Sequence, residues 1–534
     1  VTIASRNSMH RPMTTLDFLD RGVDVYGDAV GVVAHDGTEY TYAEFGERVD
    51  RAAAVLSELG VSTGDRVALL APNTHWFLET LYAINVLGAV SVPLNYRLIP
   101  EDYAYILGDC GAEVVVADFE YADKIESIRD RIPATEFLAN PADRVDGEWR
   151  DYETLLAGAD PEGVERPDIS EDDPATINYT SGTTGDPKGV VRTHRTEHWH
   201  ALITAHHTEV TDDDAYLWTL PMFHVNGWGY PYVVTGVGGT HVCQRTFDVA
   251  GAFDRIHAHD VTYLCGAPTV LDRMVDHYES HDVATTGDKP VRIATAASPP
   301  PEATIRTVED ELGWNILHVY GLTETGPLIT TSNSPRRIES EGRLAIKTRQ
   351  GHAMLGTELR VVDEEGADVP ADDETMGEIV VRGNQVMDRY WNKPERTREA
   401  FSGRVEGWFH TGDFATVDER GMVAIKDRKK DVIISGGENI SSVEVEDALY
   451  DHPEIERVAV IGVPHETWGE TPKAIVVRAG GADLTEDDVV GFARDNLAHF
   501  KCPTVVEFVD DLPETSTGKI RKVELRESHG DAAE

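Results

Sequence analysis

The sequence predicts an α/β fold: a large N-terminal domain of parallel and mixed sheets with helices, followed by a small α+β domain. Three observations carry that expectation. Short β-prone runs alternate with amphipathic helical runs between residues 41 and 117, the pattern of a parallel sheet with crossover helices. At 534 residues the chain exceeds the roughly 250–300 residues at which single cores stop growing. Residues 431–534 then form a second mixture of strands and capped helices, of a size that can fold alone.

Taken in order, Thr15–Leu19 reads as a short docking helix. Thr41 and Glu44 form a capping box, and Phe45, Val49, Ala52, Leu56 and Leu59 recur at helical spacing until Gly60. Arg66–Leu70, Val90–Leu94 and Glu113–Ala117 read as buried strands, with helices over His75–Gly88 and near Asp102–Leu107. Ala175–Tyr179 is a further strand. In the last part, Ser441 with Glu444 and Thr485 with Asp488 open helices, and Val458–Gly462, Ala474–Arg478 and Val505–Val509 read as strands. No internal repeat is visible.

Acidic residues number 95 against 48 basic, a net charge of −47 spread along the chain. Such a field repels nucleic acid and anionic membranes, so neither is expected as a partner. A solvated surface coat is the plain reading, and adaptation to a salty cytoplasm, where screening damps self-repulsion, is the preferred one. The four cysteines are scattered without metal-ligand spacing, which fits a reduced cytosol. No apolar run approaches the roughly 20 residues of a membrane helix. A soluble cytoplasmic protein is expected, with a homodimer as the candidate assembly.

Chemistry concentrates in a few stretches. Thr180-Ser-Gly-Thr-Thr-Gly-Asp-Pro-Lys-Gly-Val190 follows a strand with three glycines and four hydroxyls. Backbone N–H groups and hydroxyls can converge there on an oxyanion, with Lys188 as a mobile positive charge, so a polyphosphate is the natural guest. A Walker A loop is excluded, because Lys188 is followed by Gly189. Val319-Tyr-Gly-Leu-Thr-Glu-Thr-Gly326 offers a flat tyrosine face for a base and oxygen ligands that suit Mg²⁺. Trp408-Phe-His-Thr-Gly-Asp413 ends in a carboxylate able to accept from two hydroxyls at once. Gly377–Gly383 and Tyr390–Pro394 read as plain sheet. Leu512–Lys522 is a Pro, Ser, Thr and Gly finger bearing Lys519 on a long stem.

These motifs, in this order and over nearly the whole chain, resemble those of the adenylate-forming superfamily and most closely its fatty-acyl-CoA ligases. The resemblance implies an acid–thiol ligase. A monocarboxylic acid, medium-chain, fatty or aryl, reacts with ATP to acyl-AMP and pyrophosphate, and the acyl group then passes to coenzyme A. It implies ATP or AMP contacts at Thr180, Ser181, Gly182, Thr183, Thr184, Lys188, Tyr320, Gly321, Thr325, Asp413 and Arg428, with Mg²⁺ at Thr184 and Glu324. Lys519 is the implied adenylation lysine, and Lys430 the hinge between an ATP- and acyl-binding domain, 1–429, and a mobile lid, 430–534. Phe223, His224, Val225, Trp228, Gly266 and Ala267 would line the acyl pocket, His224 steering the carboxylate and Trp228 gating it; plain core packing is the alternative for both. Gly436, Gly437 and Lys501 would border the CoA path. One departure stands out: Ala296-Ala297-Ser298 occupies the place of a usual Gly-Gly pair near the nucleotide. The rival readings are an acyl-adenylate synthase serving a carrier protein, disfavoured because no carrier domain follows in the chain, and an inactive nucleotide-binding module, disfavoured by intact Lys188, Glu324, Asp413 and Lys519.

Overall fold

The computed structural model describes residues 11–180, 187–296, 300, 302–333, 340–428, 431–435, 438–465, 468–497, 499–514 and 520–530. The chain divides into two compact units, residues 1–358 with 381–409, and residues 359–380 with 410–534.

The first unit is built on two large sheets. One has eight strands in the order Arg389–Tyr390, Lys188–Thr193, Pro174–Thr180, Val90–Pro93, Arg66–Leu70, Val114–Asp118, Glu136–Asn140 and Arg150–Asp151. Its middle and far strands are parallel, as the alternating pattern predicts, while Lys188–Thr193 turns back antiparallel on Pro174–Thr180. The other sheet has nine strands, with Asn315–Gly321, Arg292–Thr295, Tyr263–Gly266 and Ala215–Leu217 parallel neighbours. A single apolar cluster takes side chains from both, among them Val67, Val92 and Val115 from one and Val32, Tyr216 and Cys265 from the other. The helix His75–Val86, capped by Thr74, is buried at all twelve of its residues; its polar Glu79 and Asn85 are met by Arg48 and by the Thr15 hydroxyl.

Local signals behave as their chemistry dictates. Thr41 accepts from the Glu44 amide while Glu44 reaches back to the Thr41 amide at 2.8 Å, closing the box. Thr485 and Asp488 do the same for Glu486–Asn496. The docking helix runs on past its predicted end, over Leu16–Tyr26, and the run after Trp408 is a strand, Phe409–Val417.

The second unit carries most of a four-stranded sheet in which Phe409–Val417 lies antiparallel to Val423–Arg428. It also holds a sheet whose long central pair is Ile455–His465 with Gly469–Arg478. Period-two alternation along the first of these strands splits its side chains between two cores. Val458 and Val460 face Val445, Leu449 and Val489, whereas Ala459, Ile461 and Val463 face Leu512 and Leu525. Among the described residues no helix is long and apolar enough to cross a membrane.

Candidate active site

The glycine- and threonine-rich loop connects two paired strands. Thr180, the last residue of one, stands in register opposite Lys188, the first of the next. Ser181, Gly182, Thr183 and Thr184 lie outside the described residues. At the exit, the Tyr105 hydroxyl donates to the Pro187 carbonyl at 3.2 Å.

Lys188 is brought to the second motif through a residue that the sequence reading left as plain sheet. The short strand Arg389–Tyr390 pairs with Lys188–Thr193, Tyr390 opposite Val190. That register sets the Lys188 ammonium 4.6 Å from the Tyr390 ring centroid, a cation–π arrangement. The Tyr390 hydroxyl in turn donates to Glu324 Oε1 at 2.8 Å. Burial, reinforced by the Glu324 charge, pushes the Tyr390 phenol well above its usual range, so it stays a donor. A cation, a phenol and a carboxylate thus form one constellation beside the loop.

Glu324 sits in the single 3₁₀ turn Thr323–Thr325, immediately after the strand Asn315–Gly321 that carries Tyr320, whose side chain is largely buried. Thr325 is fully buried; its hydroxyl accepts from the Leu322 amide at 2.8 Å and donates to the Pro327 carbonyl at 2.6 Å, holding the turn closed. Gly321 is required by the same fold-back, since a Cβ there would lie 1.7 Å from the Pro327 oxygen.

The proposed acyl segment is pinned by Asn73, which donates to the carbonyls of Trp218 (2.9 Å) and Leu220 (3.1 Å) and accepts from the Met222 amide (2.7 Å). Phe223 is buried edge-on against Tyr96. Beyond His224 the backbone makes a left-handed turn: φ is 39° at Val225, 42° at Asn226, 57° at Gly227, 55° at Trp228 and 76° at Gly229. Two of these glycines have no room for a Cβ, which would meet the Trp218 ring at 2.7 Å from Gly227 and His200 Nδ1 at 2.7 Å from Gly229. A bulky residue held left-handed costs about 1–2 kcal/mol, so the turn stores strain at Val225 and Trp228, as functional sites do. Burial, with the Arg97 charge second, pulls His224 down to about 4, leaving a neutral imidazole near pH 7. Gly266 ends the strand Tyr263–Gly266, and Ala267 caps the helix Pro268–Ser280.

In the second unit, Asp413 and Arg428 occupy directly opposed positions of an antiparallel pair, so their backbones are neighbours despite their separation in sequence. Asp413 is buried, and its amide is held by the Thr411 hydroxyl at 3.1 Å. Lys501 is ion-paired to Glu444. Lys430, Gly436, Gly437 and Lys519 lie outside the described residues. The helix after Lys519, Lys522–His529, is anchored by Lys522 to Glu446 at 2.8 Å and by Arg526 to Asp431 at 2.6 Å.

The family described as AMP-binding enzyme matches residues 19–391, and the AMP-binding enzyme C-terminal domain matches residues 444–519. A 2-methylpropanoate–CoA ligase of Humulus lupulus is 38% identical, covering 98% of this chain and 96% of its own. A peroxisomal butyrate–CoA ligase of Arabidopsis thaliana is 36% identical, covering 97% and 93%. Among solved structures, ATP-bound MatB from Rhodopseudomonas palustris superposes with a TM-score of 0.85 at 32% identity, covering 97% and 99%.

Proposed function

The chain belongs to the AMP-binding enzyme family and is an AMP-forming acyl-CoA ligase; on that premise we propose that its acid is a short or branched monocarboxylic acid. The observation that carries this is the aromatic floor behind the left-handed turn. Tyr230 stacks on Tyr216 at 4.7 Å, its hydroxyl lies 2.8 Å from that of Tyr263, and Trp218 packs edge-on to Tyr216. All four rings are fully buried, and we read this packed aromatic wall as favouring a short tail over a long one. The activities named for the two relatives support the same size class.

The reaction is that of the family, and the residue roles in it are proposed. A carboxylate oxygen attacks the α-phosphorus of ATP, the bond to the β-phosphate oxygen breaks, and pyrophosphate leaves. The thiol sulfur of coenzyme A then attacks the acyl carbon, AMP departs, and the thiol proton passes to solvent. Thr180 to Thr184 and Lys188 hold the leaving phosphates, Tyr320 and Gly321 the base, Asp413 and Arg428 the ribose. Neutral His224 adds no charge beside the carboxylate. Glu324, with Thr184, fits Mg²⁺ by donor chemistry: a partly buried carboxylate with one oxygen taken by Tyr390, whose ring lies under Lys188. The cation would neutralise polyphosphate charge. Lys519 arrives on a lid, 430–534, that pivots at Lys430, and CoA runs along Gly436, Gly437 and Lys501.

Pyrophosphate release with a graded series of acids tests the size class. Butanoate and 2-methylpropanoate should lead; a maximum at decanoate or cinnamate would sink the proposal. Trp228→Ala should cost about tenfold in kcat/KM on butanoate and move the optimum to longer acids, since each methylene in an apolar pocket is worth a factor of 10 or more. The acidic surface carries a separate expectation: activity and Tm should both rise between low and molar KCl, as self-repulsion is screened. Equal values at both salt levels would remove the halophilic reading.

A further inference from the structure

The strand that starts at Lys188 carries a second cation near its end. Arg192 is fully buried; its Nη2 donates to Glu197 Oε2 at 2.8 Å and to the carbonyl oxygen of Gly326. Glu197, equally buried, lies in the first turn of the helix His194–Thr208. Further along that helix His200 accepts from the Leu328 amide at 3.1 Å. The turn that closes the Tyr320–Gly326 motif is thus gripped from behind at Gly326 and Leu328, on either side of Pro327.

A buried ion pair is poor evidence for stability, because desolvation offsets the attraction and apolar replacement of both partners is often neutral. This pair is costlier than most: Arg192 Nε and Nη1 and Glu197 Oε1 have no partner among the described residues. A pair this poorly compensated invites a role other than holding the core together. The geometry supplies one. Lys188 faces Tyr390, Tyr390 holds Glu324, the chain runs on to Gly326, and the Gly326 carbonyl returns to Arg192 on the strand that began at Lys188. Gly326, at φ 114° with Gln385 2.9 Å from where a Cβ would be, leaves no room for a side chain in this circuit.

We propose that Arg192, oriented by Glu197, is the positioning residue that sets the Tyr320–Gly326 turn against the Lys188–Thr193 strand and so fixes where Glu324 meets the phosphates of ATP. Arg192 acts through the Gly326 carbonyl and touches no substrate. The proposal rests on the adenylation reading above, which wild-type protein decides by itself in the same assay, ATP–pyrophosphate exchange with butanoate.

The test is the double variant Arg192→Met with Glu197→Leu, which removes both charges at similar volume. Its Tm should stay near that of wild type. Exchange should fall about 10- to 100-fold with KM for ATP raised and KM for butanoate unchanged, the scale of a small misplacement of reacting groups. Thioester formation from supplied butanoyl-AMP and CoA should change less than about threefold, because no phosphate chain is then bound. Arg192→Lys, which keeps one charge but cannot reach both acceptors, should fall between the two; it is also the deciding variant if the double variant does not fold. Wild-type exchange in either variant, or loss of both half-reactions in step with Tm, would overturn the proposal.

Discussion

Replacing Lys519 with alanine is expected to lower acyl-adenylate formation by about 10²- to 10³-fold, the usual cost of removing one preorganised group that stabilises transition-state charge. Two anions meet in this step, the carboxylate and the α-phosphate, and a compact ammonium bridging them reduces a barrier that neither strand-borne cation addresses. Lys188 stands with Tyr390 and Glu324, where we propose that the leaving phosphates lie; Arg192 is committed to Glu197 and Gly326. The second half-reaction starts from an adenylate already formed, so thioester production from supplied acyl-AMP should remain near wild type. Single-turnover measurement of each half-reaction separates the two, and equal losses would remove Lys519 from its role.

The second large effect is at Glu324. Glu324→Gln keeps the shape and still accepts from Tyr390, but it removes the negative charge that a hard divalent cation prefers. Adenylation should fall about 100-fold, as when a single electrostatic contact to the reacting groups is lost. The Mg²⁺ concentration for half-maximal rate should rise at the same time. Tyr390→Phe is the internal contrast, since it deletes only the hydroxyl that orients Glu324 and leaves the ring under Lys188. Its loss should be smaller, with the Mg²⁺ requirement shifted in the same direction. An unchanged Mg²⁺ requirement in Glu324→Gln would detach that carboxylate from the cation.

What could be read in advance follows from range. The capping boxes at Thr41 and Thr485 were legible because both partners lie within one helical turn. Lys188 and Glu324 were legible as candidates because each sits inside a contiguous run whose chemistry is self-contained. Tyr390 was not: its function arises from pairing with Val190, far away in the chain, and a two-residue strand carries no periodicity to reveal it. Arg192 was invisible for a related reason. On paper it is a charged residue ending an apolar strand, and only the approach of Gly326 makes it a tether. The left-handed turn had no signal at Val225 or Trp228, residue types that favour other backbone regions. Asp413 and Arg428 came from separate motifs, and strand register supplied their juxtaposition.

That turn also bears on how acid preference can drift among descendants of this chain. Glycine and asparagine enter left-handed positions without added strain, whereas other side chains must overcome the strain already present at Val225 and Trp228. Substitutions that the backbone tolerates best are therefore small ones, and small ones would widen the acyl pocket proposed here. Gly227 and Gly229 permit no exchange in the opposite sense, because Trp218 and His200 occupy the space. Mutational drift here is biased, with an easier descent toward broader acceptance than back toward a narrow range.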